Sequence, residues 1–132
     1  MRIGIDVMGG DNAPDEILKG CFTALANLAP DDQIVLIGDA GLINEAIAER
    51  GIKSTQIEVV GTTEVIGMDE SPVDAVRAKK DSSLVIMGRM ASPKLPNRLD
   101  AIISAGNTGA CVAAAQLHMR RLEGVIRPGI AV

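Results

Sequence analysis

The chain has 132 residues, 47% hydrophobic and 23% charged, with a net charge of −4. That balance suits a globular protein of one ordinary domain, or a piece of a larger one, and excludes disorder as the main state. The acidic charge and the lone aromatic, Phe22, exclude a nucleic-acid footprint and an aromatic stacking platform. Two cysteines and one histidine leave almost no basis for a zinc site, and unpaired thiols fit a reducing compartment. No apolar run reaches the ~20 residues that span a bilayer. Met1 and Arg2 lead straight into a strand rather than a signal peptide, so a cytoplasmic protein is expected.

Apolar patterning predicts a strand over Ile3–Val7, then a tight turn at Met8-Gly9-Gly10-Asp11. Pro14, Asp15 and Glu16 suit a first helical turn, and Ile17, Leu18, Cys21, Leu25 and Leu28 recur at helical spacing. Ile34–Ile37 is a continuous apolar run, the pattern of a strand buried on both faces. A helix is predicted over Leu42–Glu49, a strand over Ile57–Val60 and a loop over Thr62–Glu70. Helices follow over Pro72–Lys80 and Ser83–Met90, and a proline-rich loop over Ser92–Asn97. Leu99–Ser104 reads as a strand, Asn107–Arg121 as a helix and Arg127–Val132 as the start of another strand. Alternation of this kind predicts a parallel-rich sheet with helices on both faces, a Rossmann-like three-layer α/β fold. The uncovered strand at the end is the expected sign of the N-terminal part of a larger α/β protein.

Three segments can carry chemistry. Asp6-Val7-Met8-Gly9-Gly10-Asp11 ends the first strand, the edge where ligands bind in open α/β sheets. It matches neither a dinucleotide fingerprint nor a Walker loop, and a tight turn with capping carboxylates is the other reading. Ser104-Ala105-Gly106-Asn107-Thr108-Gly109-Ala110 joins a strand to a helix, and no acidic residue lies between Asp100 and Glu123. Its glycines permit a concave array of N–H groups at a helix N-terminus, suited to phosphate or carboxylate. Asn107 or Thr108 can also cap that helix, which is compatible with anion binding. Arg77-Ala78-Lys79-Lys80-Asp81-Ser82-Ser83 follows Ser71-Pro72-Val73-Asp74, a capping-box pattern. Arg77 and Lys80, three apart, would share a helical face, either holding an anion or answering the helix dipole. Cys21 reads as core, Cys111 as an inert thiol among small apolar residues and His118 as structural. Arg120, Arg121 and Arg127 read as solvated surface or as a greeting for an acidic partner.

Taken in order, these three segments, with Glu64–Pro72 between them and Gly124-Val125-Ile126-Arg127-Pro128 after them, resemble the bacterial phosphate acyltransferase family of phospholipid synthesis, the PlsX family. The resemblance runs from Met1 to Val132. It departs in detail at Val7 and Gly129, where alanine is common, and over Met90–Arg98 with its two prolines. It implies a fold related to phosphate acetyltransferases and isopropylmalate dehydrogenases. It also implies transfer of a fatty acyl group from an acyl-carrier-protein thioester to inorganic phosphate, giving acyl phosphate with no cofactor or metal. Residues 1–132 would be the N-terminal part of a single α/β domain. The protein would be a homodimer touching the inner face of the membrane through its other half. Ser104, Gly106, Asn107, Thr108 and Gly109, with Arg77, Lys79, Lys80, Ser82 and Ser83, would hold phosphate and thioester. Asp6, Gly9, Gly10 and Asp11 would shape or orient the site. Phosphate is itself the nucleophile, so no Ser or Cys nucleophile is required, and no general base is assigned. An acetyl- or butyryltransferase-like enzyme using acyl-CoA, and a non-catalytic anion-binding domain, are the alternatives.

Overall fold

The computed structural model describes residues 1–129. Four parallel strands, β1 (Arg2–Asp6), β2 (Gln33–Gly38), β3 (Ile57–Gly61) and β4 (Ala101–Ile103), form one sheet in the order β3-β2-β1-β4. Helices α1 (Asp15–Ala24) and α2 (Ala40–Glu49) connect the first three strands, and α3 (Pro72–Ala78) and α4 (Ser83–Met90) precede β4. Helix α5 (Thr108–His118) follows it.

Each face of the sheet has its own core, because successive strand side chains point to opposite sides. Ile34 and Leu36 of β2 pack with Leu18, Cys21 and Ile43 from α1 and α2. Val35 and Ile37 pack with Val76, Leu84, Met87 and Ala114 from α3, α4 and α5. The continuous apolar run of β2 is thus a strand covered on both faces, and the expected three layers are present. The Cys21 thiol is free and buried, and desolvation pushes its pKa up to about 11. Among the described residues no helix is long and apolar enough to cross a membrane.

Several element ends differ from the sequence expectation. The first strand runs Arg2–Asp6 rather than Ile3–Val7, and β4 holds only Ala101–Ile103 of the expected Leu99–Ser104. Leu99 is 2% exposed and belongs to the α3–α5 core instead, while Ser104 already turns into the loop that its hydroxyl holds. Helix α2 begins two residues early because Asp39 Oδ1 accepts from the N–H groups of Gly41 (2.8 Å) and Leu42 (3.1 Å). Helix α1 gives way after Ala24 to a single 3-10 turn over Leu25–Asn27.

Helix α3 stops at Ala78, short of the expected Lys80. Lys79 leaves the helical region (φ −94°, ψ 79°), and its Nζ bonds the Val65 carbonyl and the Glu70 carboxylate. Arg77 and Lys80 therefore do not share a helical face. Ser71 stands at the N-cap, but its hydroxyl donates to Asp74 (2.8 Å) rather than accepting a backbone N–H, so the expected capping box is not formed. Helix α5 ends at His118 rather than Arg121, with Arg120 at φ 70°. Arg127, Pro128 and Gly129 are not in a strand, and Ile130–Val132 lie outside the described residues.

Candidate functional site

The strand order reverses between β1 and β4. Strands β2 and β3 extend the sheet to one side of β1, and β4 joins on the other. In open α/β sheets, the crevice at such a switch point, outside the carboxyl ends of the strands, is where ligands bind. The turn after β1 holds Gly9 and Gly10, and the loop after β4 holds Ser104–Asn107, so two of the three sequence candidates meet here.

Asp6 joins them. Its neighbour Ile5 lies on the α1 face, so Asp6 points the other way, toward the start of α4. It is 1% exposed. Ser104 Oγ donates to its Oδ2 (2.8 Å) and the Met8 N–H to its Oδ1 (3.1 Å). Ser104 Oγ in turn accepts from the Gly106 N–H (3.1 Å). The Ser104 hydroxyl is therefore committed to shaping the loop. Gly9 is required by close approach: a Cβ there would stand 2.4 Å from Asp6 Oδ2 and 2.7 Å from the Gly106 carbonyl oxygen. Gly10 has φ +92° and turns the chain out toward Asp11, which is exposed.

Asn107 is a strut. Its Oδ1 accepts from the Ala110 N–H (3.2 Å), capping α5. Its Nδ2 faces three carbonyls, Gly67 (3.2 Å), Met68 (3.2 Å) and Glu70 (3.1 Å). The clamped segment is braced from the other side, where Glu70 Oε1 accepts from the Gly67 N–H (2.7 Å) and from Lys79 Nζ (2.5 Å). This chain of bonds sets the N-terminus of α5 at the sheet edge. Of the predicted loop residues, Thr108 and Gly109 are exposed and Gly106 is buried under Met68. Gly109 has a packing role too, since a Cβ would stand 2.6 Å from Pro72 Cγ. With Asn107 Oδ1 on Ala110, the first-turn N–H groups of Thr108 and Gly109 have no intrahelical acceptor and can meet an anion.

A family model described as "Fatty acid synthesis protein" matches residues 1–132. The chain belongs to the fatty acid synthesis protein family. It is 42% identical over 132 residues to a phosphate acyltransferase of Heliobacterium modesticaldum, covering 99% of this chain and 38% of that protein. It is 44% identical over 133 residues to one of Thermoanaerobacter pseudethanolicus, covering 99% and 37%. It is 43% identical over 130 residues to one of Syntrophomonas wolfei, covering 98% and 39%. The chain thus spans less than two-fifths of the length of these relatives.

In this member of the fatty acid synthesis protein family the third sequence candidate divides. Ser83 is buried at the start of α4 and lies close enough to Asp6 to favour its charged form, so it belongs to the switch-point cluster. Ser82 is fully buried and donates to the Lys79 carbonyl (2.9 Å), a local structural bond. Lys79 braces the 65–70 segment, as described. Arg77 lies on the far part of α3, beside Ala113, Gln116 and Leu117 of α5. Lys80 Nζ reaches its own chain at the Val76 carbonyl (3.3 Å). Neither cation is brought to the glycine loop. Sequence reading missed Met68 and Glu70 as parts of the site, although both lie in the Glu64–Pro72 segment that the resemblance singled out. Among the described residues no group of three or more His, Cys, Asp or Glu side chains could hold a metal.

Burial pushes the Asp6 carboxyl above its ordinary value, against the Ser104 and Met8 hydrogen bonds that favour the charged form. An acid with a raised folded pKa takes up protons on folding. Its contribution to stability is therefore fully present below the ordinary carboxyl value and is lost as pH rises through the folded value. Asp6→Asn removes that titration. The melting temperature of the variant relative to the parent is expected to climb as pH rises above the ordinary carboxyl value of about 4. A difference that stays flat across this range would show that the buried carboxyl does not titrate there.

Proposed function

We propose that the chain forms the phosphate-binding part of an acyltransferase that moves a fatty acyl group from an acyl-carrier-protein thioester to inorganic phosphate. The observation that carries this reading is the N-terminus of α5, laid beside the Gly9-Gly10 turn where the strand order reverses. The phosphate acyltransferase names of the relatives agree with it. Phosphate would sit against the N–H groups of Thr108 and Gly109 and the Thr108 hydroxyl, on the positive end of the helix dipole. One phosphate oxygen attacks the thioester carbonyl, the carbon–sulfur bond breaks, and the carrier leaves as a thiol once protonated. The products are acyl phosphate and free carrier. Holding phosphate at the reacting distance supplies much of the rate without a protein nucleophile. The same reading makes the whole protein a homodimer at the inner face of the cytoplasmic membrane.

The buried Asp6 carboxylate lies under the loop rather than in it. Ser104 and Met8 take up its lone pairs, so its charge is answered before phosphate arrives. Asp6 is here a positioning residue.

The experiment is thiol release from acyl-acyl-carrier-protein by the full-length protein, measured against phosphate concentration. Thr108→Ala removes one donor to a charged ligand, worth about 1.5–3 kcal/mol. The KM for phosphate is expected to rise with the KM for thioester little changed. Thiol release that is independent of phosphate would defeat the proposal. Equal use of acyl-CoA would favour the acetyltransferase-like alternative.

A further inference from the structure

The cations that do not reach the glycine loop gather elsewhere. Arg77 of α3 borders a groove of about 260 Å³ between α3 and α5, floored by Ala113, Gln116 and Leu117. Gln116 and Leu117 also line the neighbouring groove, whose other wall carries Arg120, Arg121 and Leu122. The two grooves therefore share Gln116 and Leu117 and form one surface. The cations that line this surface are Arg77 at one end and Arg120 and Arg121 at the other. Leu117 is 57% exposed and Leu122 81% exposed, so the basic rim encloses apolar side chains open to solvent. From Ala101 to Gly129 the only acidic residue is Glu123. A local positive surface on a chain of net charge −4 is a marked segregation of charge.

We infer that the groove between α3 and the C-terminal half of α5 docks an acidic protein surface carrying an apolar contact, namely the carrier that brings the acyl thioester. This rests on the acyl-transfer reading above. Complementary charge steers such an encounter, and desolvated apolar contacts at its centre hold it. A lipid surface fits less well. The surface is a concave groove between two helices, which a compact partner can enter and a flat lipid sheet cannot. The 11 residues of α5 span about 16 Å. A partner seated at its C-terminal half would present a tethered thioester to the glycine loop at the other end.

The test uses the full-length protein and two donors with the same acyl group, an acyl-carrier-protein thioester and an acyl-pantetheine thioester. Arg120→Glu with Arg121→Glu, and separately Leu117→Gln, change exposed side chains outside the switch-point site. The KM for the carrier thioester is expected to rise on the order of tenfold, as for loss of charge complementarity at an interface. Turnover of acyl-pantetheine and the KM for phosphate should be unchanged. An unchanged carrier KM, or equal losses with both donors, would overturn the inference. If the parent protein turns over neither donor, the acyl-transfer reading fails. Docking is then judged by calorimetric binding of unacylated acyl carrier protein, which the variants should lose and added salt should weaken. Absence of that binding in the parent overturns the docking surface as well. Binding to phosphatidylglycerol vesicles that the variants lose, with carrier binding intact, would assign the surface to lipid instead.

Discussion

Gly106→Val in the full-length protein is expected to lower phosphate-dependent thiol release by on the order of a hundredfold or more, the penalty for misplacing reacting groups by about an ångström. Gly106 sits at φ +117°, a conformation that a β-branched residue cannot share without strain. Its Cβ would also stand 3.2 Å from both Met68 Sδ and Cε, and 3.3 Å from the Thr108 amide nitrogen. Met68 is exposed and can swing away; the Thr108 nitrogen belongs to the first turn of α5 and cannot. The loop must therefore shift just where phosphate is proposed to bind. The core residues of both sheet faces are untouched, so thermal unfolding should stay cooperative. Parent-like turnover would show that the loop does not touch substrate. Gly106→Ala, which adds the Cβ without the two γ-methyl groups of valine, should fall between the two; a Gly106→Val variant that unfolds while Gly106→Ala keeps full turnover would make the glycine purely structural.

Asn107→Ala is expected to destabilise the fold by about 3 kcal/mol, the sum of a lost helix cap and the lost side-chain clamp on the 67–70 carbonyls. Asn107 is 6% exposed and alone connects α5 to the carbonyls of Gly67, Met68 and Glu70. The measurement is the denaturant midpoint, with the slope showing whether the folded state stays compact. Asn107→Asp separates the two roles. It keeps the cap acceptor on Ala110 but places a carboxylate against three carbonyl oxygens. If the clamp matters more than the cap, Asn107→Asp should be at least as destabilising as Asn107→Ala. A cost close to that of an ordinary exposed cap for both variants would refute the strut.

These expectations also mark the limit of what one dimension could tell. The apolar run Ile34–Ile37, flanked by amphipathic helices, was enough to predict a strand buried on both faces and hence three layers. A strand needs its period of two and a helix its period of 3.6, and both are local properties. The glycine loop, the β1 turn and the acyltransferase resemblance were legible for the same reason: each is a short run whose backbone demands or side-chain chemistry show in the residues themselves. Element ends were less legible, because a side chain can end an element for a distant partner. Lys79 leaves α3 to reach Val65 and Glu70, bonds that no pattern within Pro72–Lys80 announces.

What only the tertiary structure decided was which candidates share a site. Ser104 and Asp6 are 98 positions apart, and their hydrogen bond exists because β4 pairs with β1 rather than with β3. That choice of neighbour put the glycine loop beside the Gly9-Gly10 turn and drew Ser83 into the cluster. It left Arg77 and Lys80 on another surface, although the sequence sets them only two to five residues from Ser82. Sequence proximity measures contour along the chain. The site is set by strand order, and strand order follows from burying both faces of one sheet.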